Sequence, residues 1–266
     1  MYTVYALSLD KARPGRILRH FSERGIKFGD VVDCELDEIP LSVYSEYMRS
    51  AGMTPEVLVS TLDIVNPESR ESALSRVYGY IDSLHRLNIP MLMLAPTVRP
   101  SHSADELRIT RDRLIDAYAR VIDYSLGSGV DILIENQSSL TRPDSTVKDV
   151  RYILDALPNM KFVLDSGNFF CVGEDVLSAY DCLSDRTVRV HVKDWRMNPQ
   201  GAMMREQIGR FEGCAIGEGI LPNGKLIRTL RENKFGGSLV LEVNACEVSL
   251  DLLDRSCDYL LHEMNI

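Results

Sequence analysis

The sequence lacks several patterns that mark other classes of protein. Its six cysteines form no C-x-x-C pair, so we expect free thiols in a reduced, cytoplasmic protein. No apolar run reaches the ~18 residues that a membrane-spanning helix needs. Residues 1–9 lack the basic segment that opens a signal peptide, and we predict that residues 3–9 form the first strand.

The chain also has fewer basic residues than acidic ones. The chain carries 30 Lys and Arg against 39 Asp and Glu, which gives a formal net charge of −9. This balance disfavours nucleic acid and anionic membranes as partners, because both require a cationic surface. We therefore expect a small-molecule ligand, and the pattern leaves a homo-oligomer open.

Apolar runs and segments of helical period alternate along all 266 residues. Runs such as residues 89–94 are typical of strands that are covered on both faces, as in parallel sheets. Eight strands and eight helices in about 250 residues indicate a single α/β domain, residues 1–266, folded as a (β/α)₈ TIM barrel. The alternative is an open doubly wound sheet. It is disfavoured because Ser8-Leu9-Asp10-Lys11 stands where a G-x-G-x-x-G motif would follow the first strand.

Four of the predicted strands run directly into a residue that can bind a metal: Glu135, Asp165, His191 and Glu242. The spacings are 30, 26 and 51 residues, and one strand with its helix and loops takes about 30. Parallel strands share one carboxyl-terminal rim, so these side chains should converge there. Buried carboxylates repel one another unless a cation joins them. Oxygen ligands with one imidazole suit Mn²⁺ or Mg²⁺.

The motifs around these residues resemble the sugar phosphate isomerase/epimerase family of xylose isomerase-like TIM barrels. The residues that carry the resemblance are Ile134-Glu135-Asn136, Leu164-Asp165-Ser166-Gly167-Asn168, Val190-His191-Val192-Lys193-Asp194, Ile216-Gly217-Glu218-Gly219 and Leu241-Glu242. The resemblance implies that the four matching residues bind one divalent metal ion. Mn²⁺ is favoured, with Mg²⁺, Co²⁺, Fe²⁺ and Zn²⁺ as alternatives. It also implies a substrate that is a small sugar or a polyol-derived ketone.

Two positions depart from the ketose 3-epimerases of that family. Those enzymes usually carry His three residues after the aspartate and again two residues after the metal-binding His, where this chain has Asn168 and Lys193. The departure disfavours a ketohexose 3-epimerase. The H-x-K-D form is more similar to the inosose dehydratases and to the less characterised isomerases.

A metal held by the four residues would polarise a carbonyl and make the adjacent C–H more acidic. We expect Glu135 and Glu242 to act as general base and acid on the substrate proton. Returning the proton to the opposite face gives an epimer, and returning it to the neighbouring carbon gives an isomer. Loss of a β-hydroxyl instead gives a dehydratase of the inosose dehydratase type, which is the alternative activity.

Lys193 is a further catalytic candidate that could stabilise an enediolate, but a structural pair with Asp194 or Glu218 is an equal reading. The predicted substrate-binding residues are Asn168, Asn136, Glu35, Trp195 and Arg196. Asn136 could instead orient the carboxylates, Glu35 could face a neighbouring strand, Trp195 could pack in the core, and Arg196 could be a solvated charge or a phosphate ligand.

Two other classes of function stay open. An apurinic-endonuclease-like nuclease shares this scaffold, but it needs additional His ligands. None ends the predicted third or fourth strand, and the acidic balance disfavours DNA. A non-catalytic sugar-binding protein is the second class, although a complete ligand set argues for an active site.

Overall fold

The computed structural model describes residues 2–4, 14–36, 39–244 and 249–264. In chain order its strands and helices are β1 (Tyr2–Val4), α1 (Pro14–Glu23), β2 (Phe28–Val32), α2 (Leu41–Ser50), β3 (Thr54–Ser60), α3 (Arg70–Leu87), β4 (Met91–Leu94), α4 (Ala104–Ser125), β5 (Asp131–Glu135), α5 (Val147–Ala156), β6 (Lys161–Asp165), α6 (Ser166–Val172), α7 (Val176–Leu183), β7 (Thr187–Val192), β8 (Trp195–Met197), β9 (Met203–Arg205), β10 (Gly209–Gly213), α8 (Asn223–Glu232), β11 (Ser238–Leu241) and α9 (Leu250–Glu263).

Eight of the strands close into a parallel barrel in the order β1-β11-β7-β6-β5-β4-β3-β2. Closure is made by β1, which pairs in parallel with both β11 and β2. The predicted TIM barrel is therefore confirmed. Because all eight strands run the same way, their carboxyl-terminal ends lie on one rim, where this fold carries its active sites.

Apolar side chains pack in two separate places. The larger cluster lies between the strands and the surrounding helices. A smaller cluster fills the barrel interior and consists of Val57, Val59, Met93, Leu133 and Val163, which come from four neighbouring strands. Side chains therefore fill the barrel interior below the rim, and a ligand would approach the site from the rim side.

The sequence predicts a second strand at residues 31–36, and the strand is present but its predicted bounds are wrong. β2 ends at Val32, and Asp33–Glu35 form a 3-10 turn. The Asp33 carboxylate accepts hydrogen bonds from the hydroxyl of Ser60 (3.0 Å) and from the backbone N–H of Thr61 (2.9 Å), so it ties the end of β2 to the end of β3. That cross-strand tie bends the chain out of the strand.

The loop between β7 and α8 was predicted only as an insert, and it folds into a three-stranded antiparallel sheet in the order β8-β10-β9. A short helix, α6, which was not predicted, begins immediately after Asp165. Ser103 with Glu106 three residues later predicts a capping box, and Ser103 does cap α4 by accepting from the backbone N–H of Glu106 at 3.2 Å. Within the described ranges, none of the helices is apolar over a length that could cross a bilayer.

Candidate metal centre

The four predicted ligands meet at the carboxyl-terminal rim. Glu135 and Asp165 are the last residues of β5 and β6, His191 is the penultimate residue of β7, and Glu242 directly follows β11. One ligand atom of each residue lies within 4.8 Å of those of the others, and all four residues are buried or nearly so. The register of the strands accounts for this, because Asp165 pairs with His191 across β6 and β7.

The donor atoms point at a common centre. Nδ1 of His191 lies 2.7 Å from Glu135 Oε1, 2.8 Å from Glu242 Oε2 and 4.0 Å from Asp165 Oδ2. Glu135 Oε1 and Glu242 Oε2 are buried and accept no well-aligned hydrogen bond. The single proton on His191 Nδ1 cannot serve both oxygens, whereas a cation between them would satisfy both. Three carboxylates with one imidazole therefore fit a divalent metal ion.

Lys193 completes the charge balance of this group. Its Nζ lies 2.6 Å from Asp165 Oδ2 and 2.8 Å from Glu242 Oε1. With a divalent ion bound, the three carboxylates would be neutralised by the metal and the ammonium together. The alternative pairing of Lys193 with Asp194 or Glu218 is therefore wrong. Lys193 lies two residues after His191, so strand alternation turns both side chains toward the barrel axis.

These contacts shift the protonation of the cluster. Burial alone would lower the pKa of His191, but Glu135 and Glu242 outweigh it and raise that pKa to about 10. Burial would raise the pKa of Glu242, but Lys193 and His191 outweigh it and lower the pKa to about 2. In the metal-free protein near neutral pH, His191 is consequently an imidazolium and Glu242 is ionised.

Metal affinity should therefore rise with pH. A metal binds the neutral imidazole, so the proton of His191 must leave before the ion can enter. Since the pKa of His191 is raised to about 10, proton competition persists across the neutral range. Burial also raises the pKa of Asp165 to about 7, so below that pH a second proton must leave before the metal binds. We expect the apparent affinity to increase at least tenfold per pH unit between about pH 6 and pH 8, with one proton released at about pH 8 and more than one at about pH 6. Calorimetry of Mn²⁺ binding in buffers of different ionisation enthalpy measures this, and binding without proton release would contradict it.

Two asparagines hold the backbone around Asp165. The side chain of Asn136 donates to the carbonyl of Asp165 (3.0 Å) and accepts from its N–H (2.8 Å). The Asn168 side chain donates to the carbonyl of Asn136 at 2.9 Å, and its backbone N–H donates to Asp165 Oδ1 at 2.8 Å. Asn136 therefore orients the backbone of Asp165, which is the alternative role that the sequence predicted for it. Its assignment as a substrate ligand remains a prediction.

Asp194 fixes the turn that contains Gly217 and Gly219. Its carboxylate accepts from the backbone N–H groups of Gly217 (2.9 Å), Gly219 (3.1 Å) and Leu221 (3.1 Å). A Cβ on Gly219 would lie 2.1 Å from Asp194 Oδ1, and Gly217 adopts a φ of +91°. The H-x-K-D and G-x-G motifs are therefore two halves of one structure, which anchors the chain on both sides of the antiparallel sheet.

A cavity of about 240 Å³ is lined by Asn168, whose backbone N–H donates to Asp165, and six of the lining residues bear on the chemistry. Three of them follow the ligands Glu135, Asp165 and Glu242, and three come from the antiparallel sheet: Ser138, Asn168 and Asn244, with Trp195, Met203 and Glu212. Of these six residues, Asn168 and Trp195 were predicted from the sequence as substrate-binding residues, and the other four were not. Ser138 and Asn244 could have been found as polar residues two or three positions after a ligand. Glu212 had no such signal.

The other predicted substrate residues are placed differently. Trp195 is buried, and its indole N–H donates to the carbonyl of Gly167 at 3.1 Å. Arg196 does not line the cavity, because it extends toward solvent and its Nε donates to Glu212 Oε1 at 2.8 Å. The backbone of Glu35 lies in the 3-10 turn after β2, so it is not at a strand end, and its side chain lies outside the described part of the chain.

Comparison with known proteins gives a consistent picture. The sequence matches the family model described as xylose isomerase-like TIM barrel over residues 25–260. No curated protein sequence matches the chain. Three solved structures share the fold at 13–15% identity, and each alignment covers 97% or more of both chains. They are the IOLI protein with a bound zinc atom (TM-score 0.80), D-psicose 3-epimerase with D-tagatose from Clostridium cellulolyticum H10 (0.76) and the probable 3-DHS dehydratase AsbF from Bacillus anthracis (0.74).

Proposed function

The chain belongs to the xylose isomerase-like TIM barrel family, and on that premise we propose that it is a metal-dependent isomerase or epimerase of a hydroxy-ketone or keto-sugar. The observation that carries the proposal is the convergence of Glu135, Asp165, His191 and Glu242 beside a cavity of about 240 Å³. Mn²⁺ is the metal we favour for this donor set. One structural neighbour is a protein with bound zinc, and another is an epimerase with a bound sugar.

The residues divide the chemistry between them. A divalent ion held by the four ligands would supply Lewis acidity that makes the C–H next to the substrate carbonyl easier to ionise. Glu135 on β5 and Glu242 after β11 are separated by β6 and β7, so they reach the site from different sides. One would take the substrate proton and the other would return one. Lys193, held between Asp165 and Glu242, would stabilise negative charge that develops on the substrate oxygen.

A dehydratase is the second candidate. A deprotonated hydroxy-ketone that carries a β-hydroxyl can lose it as water, so the same proton abstraction serves both outcomes. Two observations favour this activity. Asn168 and Lys193 occupy positions where the 3-epimerases carry His, and one structural neighbour is a probable dehydratase. The nature of the product separates the two candidates.

Metal loading is the first test. Purified protein should carry close to one divalent ion per chain, and His191→Ala should lose most of it because the imidazole lies at the centre of the donor set. Mass spectrometry for metals on dialysed samples gives the occupancy. His262→Ala, on the exposed side of α9, is the matched control and should retain the ion. Full occupancy in His191→Ala would rule out the metal site.

Substrate preference is the second test. Asn168 uses its side-chain N–H on the carbonyl of Asn136, so it does not offer the imidazole that the 3-epimerases carry there. We expect poor turnover of ketohexoses and faster turnover of inososes, short hydroxy-ketones or modified keto-sugars by the Mn²⁺-loaded protein. Product analysis by NMR reports isomer, epimer or dehydrated product. Efficient 3-epimerisation of fructose or psicose would contradict this expectation.

A further inference from the structure

The antiparallel sheet places a carboxylate in the wall of the cavity. Glu212 lies on β10, where it pairs with Arg196 of β8, and its neighbour Gly213 pairs with Trp195. Among the cavity-lining residues in the described ranges, Glu212 is the one with a charged side chain. Ser138, Asn168 and Asn244 are neutral and polar, and Trp195 and Met203 are apolar. A ligand that extends away from the metal centre therefore meets a negative group.

Glu212 is held rigidly in place. Its Oε1 accepts from Arg196 Nε at 2.8 Å, and its Oε2 accepts from Asn198 Nδ2 at 2.7 Å. These two hydrogen bonds lower the pKa of Glu212, so it is ionised at neutral pH. Arg196 Nη2 also lies 2.7 Å from Oε1, so Oε2, with the single donor Asn198, is the oxygen that keeps a lone pair for a ligand hydroxyl. The adjoining Phe211 packs against Phe170 of α6 with ring centroids 5.4 Å apart, which anchors the sheet against the rim.

Arg196, Arg205 and Arg210 of the same sheet are not among the described residues that line the cavity, and each contacts another group of the protein. Arg196 pairs with Glu212, Arg205 donates to the carbonyl of Phe170 at 3.2 Å, and Arg210 donates to the carbonyl of Gly201 at 3.1 Å. The nearest ammonium to the metal centre, Lys193, is held by Asp165 and Glu242. Arg196 offsets part of the Glu212 charge from the solvent side, but a phosphate entering the cavity would meet the carboxylate, and no cation stands among the described lining residues.

We infer that Glu212 is a specificity-determining residue that selects an uncharged polyhydroxy ketone and rejects its phosphorylated form. The carboxylate would accept hydrogen bonds from hydroxyl groups at the end of the substrate farther from the metal. The same charge repels a phosphate there, since rejecting a competitor requires a repulsive group. The volume of about 240 Å³ is below the ~300–1,000 Å³ of sites for drug-sized ligands, so it suits a monosaccharide-sized molecule. This inference rests on the proposed function, because the metal must hold the ketone end.

The test measures binding of matched ligands to Mn²⁺-loaded protein by calorimetry. The pairs are D-fructose with D-fructose 6-phosphate, and D-erythrulose with D-erythrulose 4-phosphate. Wild type should bind the uncharged member about tenfold more tightly, and Glu212→Gln should remove most of that ratio, because one full charge is lost. In Glu212→Gln the uncharged ligand should bind more weakly while the phosphorylated one binds more tightly. This opposite movement distinguishes charge repulsion from a general loss of structure.

Two further variants serve as controls. Glu206→Gln makes the same charge change at an exposed position of the turn after β9, outside the cavity, and should leave the ratio unchanged. Glu212→Asp keeps the charge and should keep the preference for the uncharged ligand. The inference is overturned if wild type prefers the phosphorylated ligands, if Glu212→Gln keeps the wild-type ratio, or if no ketone of either kind binds.

Exchange of the substrate C–H with solvent deuterium tests the role of Glu212 and the proposed isomerase activity separately. Selective binding of uncharged ketones with no exchange of the substrate C–H in D₂O would refute the isomerase and leave Glu212 as the selector. Exchange that proceeds equally on both members of each pair would refute the role of Glu212 and leave the isomerase.

Discussion

Replacing Arg189 with methionine is expected to lower the free energy of unfolding by about 3–5 kcal/mol, the usual cost of removing one partner from a buried ion pair. Arg189 lies inside the barrel with 1% of its surface exposed. Its Nη2 donates to both oxygens of Asp30, at 2.9 and 2.7 Å, and its Nη1 donates to Glu56. The substitution would leave two buried carboxylates without their cation.

The buried ion pairs of Arg189 with Asp30 and Glu56, called the strut below, also make the free energy of unfolding depend on pH. Burial raises the pKa of Asp30 to about 6, and Arg189 opposes that shift. Without Arg189, His191 alone would oppose the effect of burial, so Asp30 should bind a proton in the folded state at higher pH. A group whose pKa is higher in the folded state stabilises the fold at low pH and loses that contribution as the pH rises. The stability deficit of Arg189→Met should accordingly shrink as the pH falls from about 7.5 to about 5.5.

Chemical denaturation at several pH values measures both effects. Arg99→Met is the matched control, because Arg99 has 75% of its side chain exposed, and this change should cost less than about 0.5 kcal/mol. A triple variant, Arg189→Met with Asp30→Asn and Glu56→Gln, removes every charge of the strut and should recover part of the loss. A single variant as stable as wild type would show that the strut contributes nothing.

The ligand set could be predicted from the sequence because each ligand ends an apolar run, and parallel strands align their ends. Glu135, Asp165, His191 and Glu242 needed no knowledge of side-chain packing, since strand register alone brings them together. The position of Lys193 was also available in principle, because it shares the inward face with His191. Pairing with Asp194 or Glu218 was one of two equal readings for Lys193, and the contacts with Asp165 and Glu242 follow from the inward face that it shares with His191.

Other parts of the molecule depend on contacts that leave no local pattern. Glu56 turns toward Arg189 at an irregularity in the register of β2 and β3, where Gly29 pairs with Pro55 but Asp30 pairs with Val57. Such a bulge reverses the inward and outward alternation of a strand. Glu212 joins the cavity only because β8 and β10 pair across the loop, and strands of three and five residues are too short to be predicted from alternation alone.

Glu135→Gln and Glu242→Gln are each expected to lower turnover by roughly 10²–10⁴, the usual contribution of a positioned acid or base. Glutamine keeps nearly the same shape but cannot accept and release the substrate proton. Both residues are also proposed metal ligands, so metal occupancy must be measured on the same samples as activity. The control is Glu206→Gln, which changes an exposed residue of the turn after β9 and should keep wild-type turnover.

Solvent deuterium reveals whether these carboxylates handle the proton. In D₂O the wild-type enzyme should place deuterium on the carbon next to the carbonyl, because Glu135 and Glu242 would exchange their protons with solvent between turnovers. A Glu→Gln variant that keeps its metal should lose product formation and deuterium incorporation together. Product formed by wild type without deuterium would point to a hydride shift between carbons or to a proton shielded from solvent. A metal-loaded variant with full activity would exclude that glutamate as acid or base, and Lys193, 2.8 Å from Glu242 Oε1, would become the next residue to test.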